Sequence, residues 1–248
     1  MINLDVIYEP KGKAREYAPL AINIYKGCTH GCRYCYCAKM QERYGNVSYY
    51  DKAAPKTNIV RRVAADVKKL SSSGEDVPEI LLSFSGDVYQ PAETDLKLTR
   101  QVIEILVDAG LPFTILTKGG SRAVRDFDLL EKSSLCSFGT TIIFSKQWYA
   151  DKWEPGAATV RDRNVAVKKA HDAGIRTWVS LEPVISPKQA LTVIEVMHPY
   201  VDHWKVGKVN HMPYIESKVD WKAFKTDVVE VLESFKADYY LKNSLSRL

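Results

Sequence analysis

Long apolar runs are missing from this 248-residue chain. Its first residues mix charged and apolar side chains, so they lack the uninterrupted apolar stretch of a signal peptide. No later segment approaches the roughly 20 apolar residues that a membrane-spanning helix needs. We therefore expect a protein without a membrane segment, located in the cytoplasm.

The sequence also lacks a strong excess of one sign of charge. Lys and Arg total 35 and Asp and Glu total 30, which gives a formal net charge of +5. Because no dense Lys/Arg block is present, this excess permits a phosphate-bearing partner but does not require one.

Cysteine is scarce as well, yet four of the five cysteines lie within residues 28–37, in the segment CTHGCRYCYC. In a reducing cytoplasm such crowding indicates metal ligation rather than a disulfide hairpin. A structural zinc site usually combines two separated ligand pairs, and this sequence has no second pair. The remaining interpretation is an iron–sulfur cluster, in which three thiolates for four irons leave one iron open.

Short apolar runs alternate with segments of helical period, a pattern typical of β/α units around a parallel sheet. Strands are predicted over residues 20–25, 79–84, 113–117, 137–144, 175–181, 201–206 and 238–241. Right-handed crossovers curl such a sheet towards a barrel. With six or seven strands we expect an α/β fold, a partial (β/α)6-type TIM barrel of parallel strands with the cysteine-rich loop after the first strand.

This barrel accounts for the whole chain as one domain, residues 1–248. Residues 1–19 are predicted to be an N-terminal extension, and residues 186–248 to be the C-terminal part of the barrel. In barrels of this kind the chemistry lies at the carboxyl ends of the strands. The sequence places reactive side chains in those loops, namely Ser85, Asp87, Lys118, Glu182, Lys208, Asn210, His211, Lys242 and Asn243.

The spacing C-x3-C-x2-C at Cys28, Cys32 and Cys35, directly after a first strand, resembles the radical S-adenosylmethionine (SAM) superfamily. Tyr34, just before the third cysteine, strengthens the resemblance. Five longer blocks are similar to the spore photoproduct lyase-like branch of that superfamily. They are IYEPKGKAREYAPLAINIYKGCTHGCRYCY, DVYQPAETD, ILTKGGSRAVRDFDLL, WEPGAATVRDRNVAVKKAHDAGI and SLEPVI.

The resemblance implies that Cys28, Cys32 and Cys35 hold a [4Fe–4S] cluster whose open iron binds SAM. One electron would then cleave SAM to methionine and a 5′-deoxyadenosyl radical, which abstracts hydrogen from a substrate. An external donor of the flavodoxin or ferredoxin type would supply the electron. A nucleobase in DNA or a nucleotide is the candidate substrate.

The resemblance also implies individual roles around SAM. Tyr34 would pack near the adenine, and Ser85, Gly86 and Asp87 would receive the methionyl amine. Lys118 would pair with the SAM carboxylate, while Ser180 and Glu182 would reach the ribose hydroxyls. Tyr36 matches a position that the branch uses and is the candidate catalytic residue.

Other residues near the motif receive structural roles. Cys37 is expected to point away from the cluster as a small packed thiol, and Cys136 to be inert. His30 is expected to form hydrogen bonds within the loop. Phe84 stands where the branch has a hydrogen-donating cysteine, and phenylalanine cannot donate a hydrogen atom. The resemblance therefore supports the fold of this branch more strongly than it supports the lyase reaction.

A second class of function stays open, a nucleic-acid-binding protein whose cluster is structural or redox-sensing. The loops that follow the strands offer cations for phosphates and aromatic rings on which a base could stack. The cations are Lys118, Lys146, Lys208 and Lys242, and the rings are Trp148, Tyr149 and Trp153. Either all seven face the same mouth as the reactive loops, or the lysines are solvated and the aromatic rings pack under a loop.

Overall fold

The computed structural model describes residues 2–45 and 48–248. Ten strands lie in this part of the chain: β1 (Ile7–Tyr8), β2 (Leu20–Ile22), β3 (Tyr25–Lys26), β4 (Ala54–Pro55), β5 (Ile80–Leu82), β6 (Phe113–Thr117), β7 (Cys136–Thr141), β8 (Arg176–Val184), β9 (His203–Lys208) and β10 (Tyr239–Leu241). The α-helices are α1 (Tyr36–Arg43), α2 (Ile59–Ser71), α3 (Glu93–Leu96), α4 (Leu98–Asp108), α5 (Phe127–Leu130), α6 (Gln147–Trp153), α7 (Val160–Asp172), α8 (Pro187–Met197), α9 (Pro213–Glu216), α10 (Trp221–Ser234) and α11 (Asn243–Ser246). Short 3-10 helices cover Gly12–Glu16, Gly120–Asp126 and His198–Tyr200.

Eight of these strands form one sheet in the order β1-β2-β5-β6-β7-β8-β9-β10. All neighbours pair in parallel except β1 and β2, which are antiparallel. In the described part of the chain β1 and β10 do not pair, so the sheet stays open between them. The predicted α/β fold with a mostly parallel, partial barrel is confirmed.

Alternation along the strands separates two apolar layers. Leu20, Ile22, Ile80 and Leu82 belong to the large core that packs against the helices. The residues between them, Ala21 and Leu81, belong instead to a small inner cluster around Trp178. Gly139 makes room for that indole, because a Cβ at this position would lie 2.0 Å from the Trp178 ring. Side chains around Trp178 therefore fill this part of the inner side of the sheet.

The N-terminal residues take part in the sheet, because Ile7 and Tyr8 pair with Ile22 and Ala21. The Asp66 carboxylate of α2 fixes this segment by accepting hydrogen bonds from the amides of Asp5, Val6 and Ile7. Across the described residues, none of the helices combines the length and the apolar character needed to cross a membrane.

Candidate active site

The cysteine loop, residues 27–35, connects β3 to α1. Gly27 has a φ of +76°, and a Cβ there would lie 2.2 Å from a backbone carbonyl oxygen, so only glycine fits this bend. At the other end, α1 begins directly after Cys35, whose amide donates to the carbonyl of Cys32 at 3.0 Å. As a result, Cys28, Cys32 and Cys35 line one cavity of about 540 Å³.

The donor set of this loop suits an iron–sulfur cluster. All three cysteines are free thiols. Burial raises the pKa of Cys28 to about 11 and that of Cys32 to about 12, so both need a bound metal to become thiolates at neutral pH. Among the described residues, no three His, Cys, Asp or Glu side chains are placed to hold a single metal ion. Thiolates around a cubane cluster each bind a different iron, so they need not converge on one point.

The turn at residues 85–87 follows β5 and lies against the cysteine loop. Gly86 has a φ of +81°, and a Cβ there would lie 2.8 Å from the carbonyl oxygen of Gly27. The Asp87 carboxylate accepts hydrogen bonds from the Thr117 hydroxyl (2.6 Å) and the Lys118 amide (2.6 Å). Burial alone would raise the pKa of Asp87, but nearby His30 and these hydrogen bonds outweigh it and lower the pKa. Asp87 is thus an anion that fixes the turn and still lines the cavity.

Lys118 lines the same cavity, and its backbone is held next to the turn by the hydrogen bond to Asp87. Its ammonium is 5.7 Å from the centre of the Tyr34 ring. Burial would lower the pKa of Lys118, but the nearby Cys32, Glu154 and Asp87 outweigh it and raise the pKa. The cavity therefore holds a permanent cation next to the cysteines.

A buried ion pair orients Tyr34. The Glu154 carboxylate accepts hydrogen bonds from the Tyr34 hydroxyl and from Arg163, the latter at 2.7 Å. Arg163 also donates to the carbonyl of Thr141 at the end of β7. Both charged side chains are almost fully buried, with exposed fractions of 2% and 1%.

The segment that carries Glu154 also holds the cysteine loop by backbone hydrogen bonds. The amide of Gly156 donates to His30 at 2.8 Å, and the amide of Arg33 donates to the carbonyl of Trp153 at 2.9 Å. A Cβ on Gly156 would lie 2.3 Å from the carbonyl oxygen of Thr29. The block WEPGA thus supports the loop from outside, a role that sequence reasoning did not assign to these residues.

The cavity wall carries a second polar group around Lys242. Lys242, 2% exposed, pairs with Glu182 at 2.8 Å, and its ammonium is 4.2 Å from the centre of the Tyr17 ring. The Tyr17 hydroxyl donates to Glu182 and lies 3.0 Å from the Ser180 hydroxyl. Glu182 lines the cavity, whereas Ser180 is buried beneath Tyr17 and is not part of its wall. Sequence reasoning missed Tyr17, which lies 163 residues from Ser180 along the chain.

Tyr36 and Cys37 open α1, and both line the cavity. Tyr36 is half exposed, at 52%. Cys37 is packed, as expected, but the expectation that it points away from the cluster site is wrong. Side chains in a helix tilt towards its N-terminus, so Cys37 is carried back against Cys35.

The remaining candidates are spread around the cavity. His30 lies in the loop, 3.5 Å from the Asp87 carboxylate. Phe84 and His211 line the wall, and Phe84 packs edge-on against Tyr17 with ring centres 5.9 Å apart. Cys136 lies on β7, and its thiol donates to two backbone carbonyls outside the cavity wall.

The expected mouth of four lysines and three aromatic rings is correct for only two of these seven side chains. Lys118 and Lys242 line the cavity, but the exposed Lys146 does not, and Lys208 instead lies over the Trp221 ring at 5.7 Å. None of the three rings lines the cavity, because each packs elsewhere. Trp148 stacks on Tyr149, Tyr149 stacks on Phe144, and Trp153 packs against the core. Two exposed lysines that the sequence did not single out, Lys11 and Lys13, lie at the cavity instead.

Comparison with known families identifies the class of protein. The family model of the Radical SAM superfamily matches residues 22–197, which include the cysteine loop and most of the sheet. The chain therefore belongs to the radical SAM superfamily of enzymes.

Curated relatives of this chain exist in archaea, bacteria and an archaeal virus. An uncharacterized protein of Methanocaldococcus jannaschii is 30% identical over 168 residues, covering 68% of this chain and 61% of the relative. An uncharacterized protein of Mycobacterium tuberculosis is 26% identical over 170 residues, covering 66% and 49%. One from Acidianus two-tailed virus is 25% identical over 226 residues, covering 84% and 73%. The chain thus spans less than two thirds of the first two relatives.

Solved structures show the same fold at low identity. A spore photoproduct lyase double mutant with bound AdoMet and dinucleoside spore photoproduct matches with a TM-score of 0.72 at 14% identity, covering 95% of this chain and 78% of that chain. Streptococcus suis SuiB bound to S-adenosylmethionine matches with a TM-score of 0.67 at 10% identity, covering 90% and 50%. Both likenesses support the partial-barrel architecture.

Proposed function

We propose that Cys28, Cys32 and Cys35 bind one [4Fe–4S] cluster and that the enzyme uses it to cleave SAM reductively. The observation that carries this proposal is the single cavity lined by all three thiols together with Lys118 and Asp87. When bound, the cluster and SAM supply a 5′-deoxyadenosyl radical that abstracts hydrogen from a substrate. The chain itself binds, orients and shields these groups.

The cavity wall divides into positions for the parts of SAM. The cationic Lys118 suits the SAM carboxylate, and the Asp87 anion beside Gly86 suits the methionyl amine. Ser85, the third residue expected at the amine, is not part of the cavity wall, and its carbonyl accepts a hydrogen bond from the Ser83 hydroxyl. The Tyr34 ring, held by Glu154, provides an apolar surface for the adenine. Glu182 is the remaining carboxylate on the wall and suits the ribose hydroxyls.

Formation of 5′-deoxyadenosine separates this function from a structural or redox-sensing cluster. Under anaerobic conditions, reconstituted protein should release 5′-deoxyadenosine from SAM when dithionite is the reductant. A reduced flavodoxin or ferredoxin should support the same reaction. Exposed cations beside the loop, Arg33 and Lys39, would attract such acidic donors. A reduced cluster that releases no 5′-deoxyadenosine would leave only the structural or sensing role.

Replacing Lys118 with alanine should weaken SAM binding about ten- to a hundredfold while the cluster remains. Loss of one charge-assisted hydrogen bond costs about 1.5–3 kcal/mol, which corresponds to this change in Kd. Isothermal titration of the reconstituted variants with SAM measures it. Lys146→Ala is the matched control, since Lys146 is exposed and outside the cavity wall. Equal affinities for both variants and the parent would place the SAM carboxylate elsewhere.

We further propose that the substrate is a nucleotide or a nucleobase in DNA. Phe84, Leu116 and Pro183 give the cavity an apolar lining that accommodates a flat ring. Lys11 and Lys13 lie at the same cavity, where phosphates attached to that ring would meet them. The spore photoproduct lyase structure, whose ligand is a dinucleoside, supports the same substrate class.

Single-stranded DNA should bind with an affinity that falls steeply as salt rises, and Lys11→Ala/Lys13→Ala should flatten this dependence. Each phosphate neutralised on a single strand contributes about −0.7 to the slope of log K against log salt, so the double variant should lose about 1.4. Fluorescence anisotropy of a labelled oligonucleotide at several salt concentrations measures the slope. Lys146→Ala should leave it unchanged. No binding at low salt would contradict a polymeric substrate and leave a free nucleotide.

A further inference from the structure

A buried glutamine, Gln90, lies against the cysteine loop without forming part of the cavity wall. It is fully buried, with an exposed fraction of 0%. The Thr29 amide donates to the side-chain oxygen of Gln90 at 3.1 Å, and the side-chain nitrogen of Gln90 donates to the Gly27 carbonyl at 3.4 Å. One side-chain amide therefore holds the backbone on both sides of Cys28.

The two bonds require the particular chemistry of a glutamine side chain. The Thr29 amide needs an acceptor and the Gly27 carbonyl needs a donor, and a side-chain amide carries both. Methionine fills a similar space but has no N–H donor and only a weak acceptor. Asparagine keeps the amide but is one methylene shorter, so it cannot reach both backbone groups from the same position.

The backbone that carries Gln90 is itself fixed. The Thr99 hydroxyl of α4 donates to the Val88 carbonyl at 2.7 Å. The Arg122 side chain donates to the Tyr89 carbonyl at 2.6 Å. Because the two residues before Gln90 are held in this way, its amide is a fixed support rather than a mobile side chain.

These contacts set the position of Cys28 before any cluster binds. The amide of Cys28 donates to the Tyr49 carbonyl at 2.9 Å, so the backbone is bonded at residues 27, 28 and 29 in succession. A loop that is already ordered loses less conformational freedom when it binds its ligand. The direction of the Cys28 side chain is therefore defined by its backbone, and Gln90 supplies two of the three bonds.

Resting on the cluster proposed above, we infer that Gln90 is a positioning residue that holds Cys28 in place to bind iron. Residues that support a metal ligand without touching the metal typically contribute about ten- to a hundredfold to metal affinity. Gln90 contacts the backbone of the loop and not the thiol, so it acts through Cys28.

Gln90→Met should lose iron from the reconstituted cluster to a chelator about tenfold faster than the parent. The decay of the visible absorbance of the cluster measures this rate. The electron paramagnetic resonance spectrum of the reduced cluster should also change, because the Cys28 sulfur is no longer held in one orientation. Gln90→Asn, a milder variant, should show both effects in the same direction, so the test does not depend on the folding of the methionine variant.

Gln189→Met is the matched control. Gln189 is also buried, with an exposed fraction of 7%, and its side-chain oxygen accepts hydrogen bonds from the amides of Ser145 and Lys146 outside the cavity wall. This control loses the same kind of contact between a glutamine and a loop. It should keep the parent's rate of iron loss and the parent's spectrum.

Parent-like iron loss and a parent-like spectrum in both Gln90 variants would overturn the inference. Equally fast iron loss in Gln189→Met would also overturn it, by showing that general loosening of the fold releases the cluster. A parent protein that takes up no iron would instead refute the proposed cluster itself, which is a separate and distinguishable outcome.

Discussion

Alanine in place of Cys28, Cys32 or Cys35 should abolish the iron–sulfur cluster and all release of 5′-deoxyadenosine. Thiolates are the ligands of such clusters, and removal of one of the three proposed ligands would leave two irons without a protein ligand. The three thiols line the same cavity, so each is placed to contribute. Anaerobic reconstitution followed by iron and sulfide analysis measures the cluster, and chromatography of the SAM reaction measures 5′-deoxyadenosine.

Two variants serve as controls for this experiment. Cys136→Ala should keep full iron and full activity, because its thiol is bonded to backbone carbonyls outside the cavity. Cys37→Ala should keep its iron as well. Stoichiometric zinc without iron in the parent protein, or iron loss confined to the Cys37 variant, would show that the ligands are assigned wrongly.

The parallel strands were predictable because they are buried on both faces and read as short apolar runs. The strand expected over residues 113–117 coincides with β6. Strand β1 was missed, since two residues carry no readable period. The position of β1 depends on hydrogen bonds to the Asp66 carboxylate, which lies about 60 residues away along the chain. Local sequence patterns cannot predict such a contact.

The cysteine loop was predictable because its ligands are close in the sequence. Contacts between residues that are far apart along the chain were not predictable. The contact between Tyr17 and Glu182 is an example. Glu182 was singled out by its place after a strand, but Tyr17 lies in a segment read as an extension. Topology brings the two together because the 3-10 helix at Gly12–Glu16 leads into β2, the first of the parallel strands.

A buried ion pair between Glu154 and Arg163 helps to hold the shape of the cavity. Glu154 and Arg163 lie nine residues apart, and their carboxylate and guanidinium groups meet at 2.7 Å in the interior. Through Glu154 the pair fixes the Tyr34 hydroxyl, and through Arg163 it reaches the end of β7. One buried ion pair thus joins the cysteine loop to the sheet.

Replacing Glu154 with leucine should destabilise the protein by about 3–5 kcal/mol, because the Arg163 charge is left buried without its partner. For a chain of this size that loss lowers the melting temperature by roughly 6–20 °C. Thermal unfolding of the anaerobically reconstituted protein, followed by circular dichroism, measures the change. The double variant Glu154→Leu/Arg163→Met removes both charges and should recover much of the loss.

The control is an ion pair of the same chemistry at the surface. Arg15 and Glu9 meet at 3.0 Å, but their side chains are 60% and 64% exposed. Arg15→Met should therefore change the free energy of unfolding by less than about 1 kcal/mol. If Glu154→Leu were equally mild, Arg163 would have found solvent or another acceptor, and the pair would not be what holds Tyr34 and the cysteine loop to β7. A large loss that the double variant does not recover would show that the Tyr34 hydrogen bond and side-chain packing, rather than the unpaired charge, account for the effect.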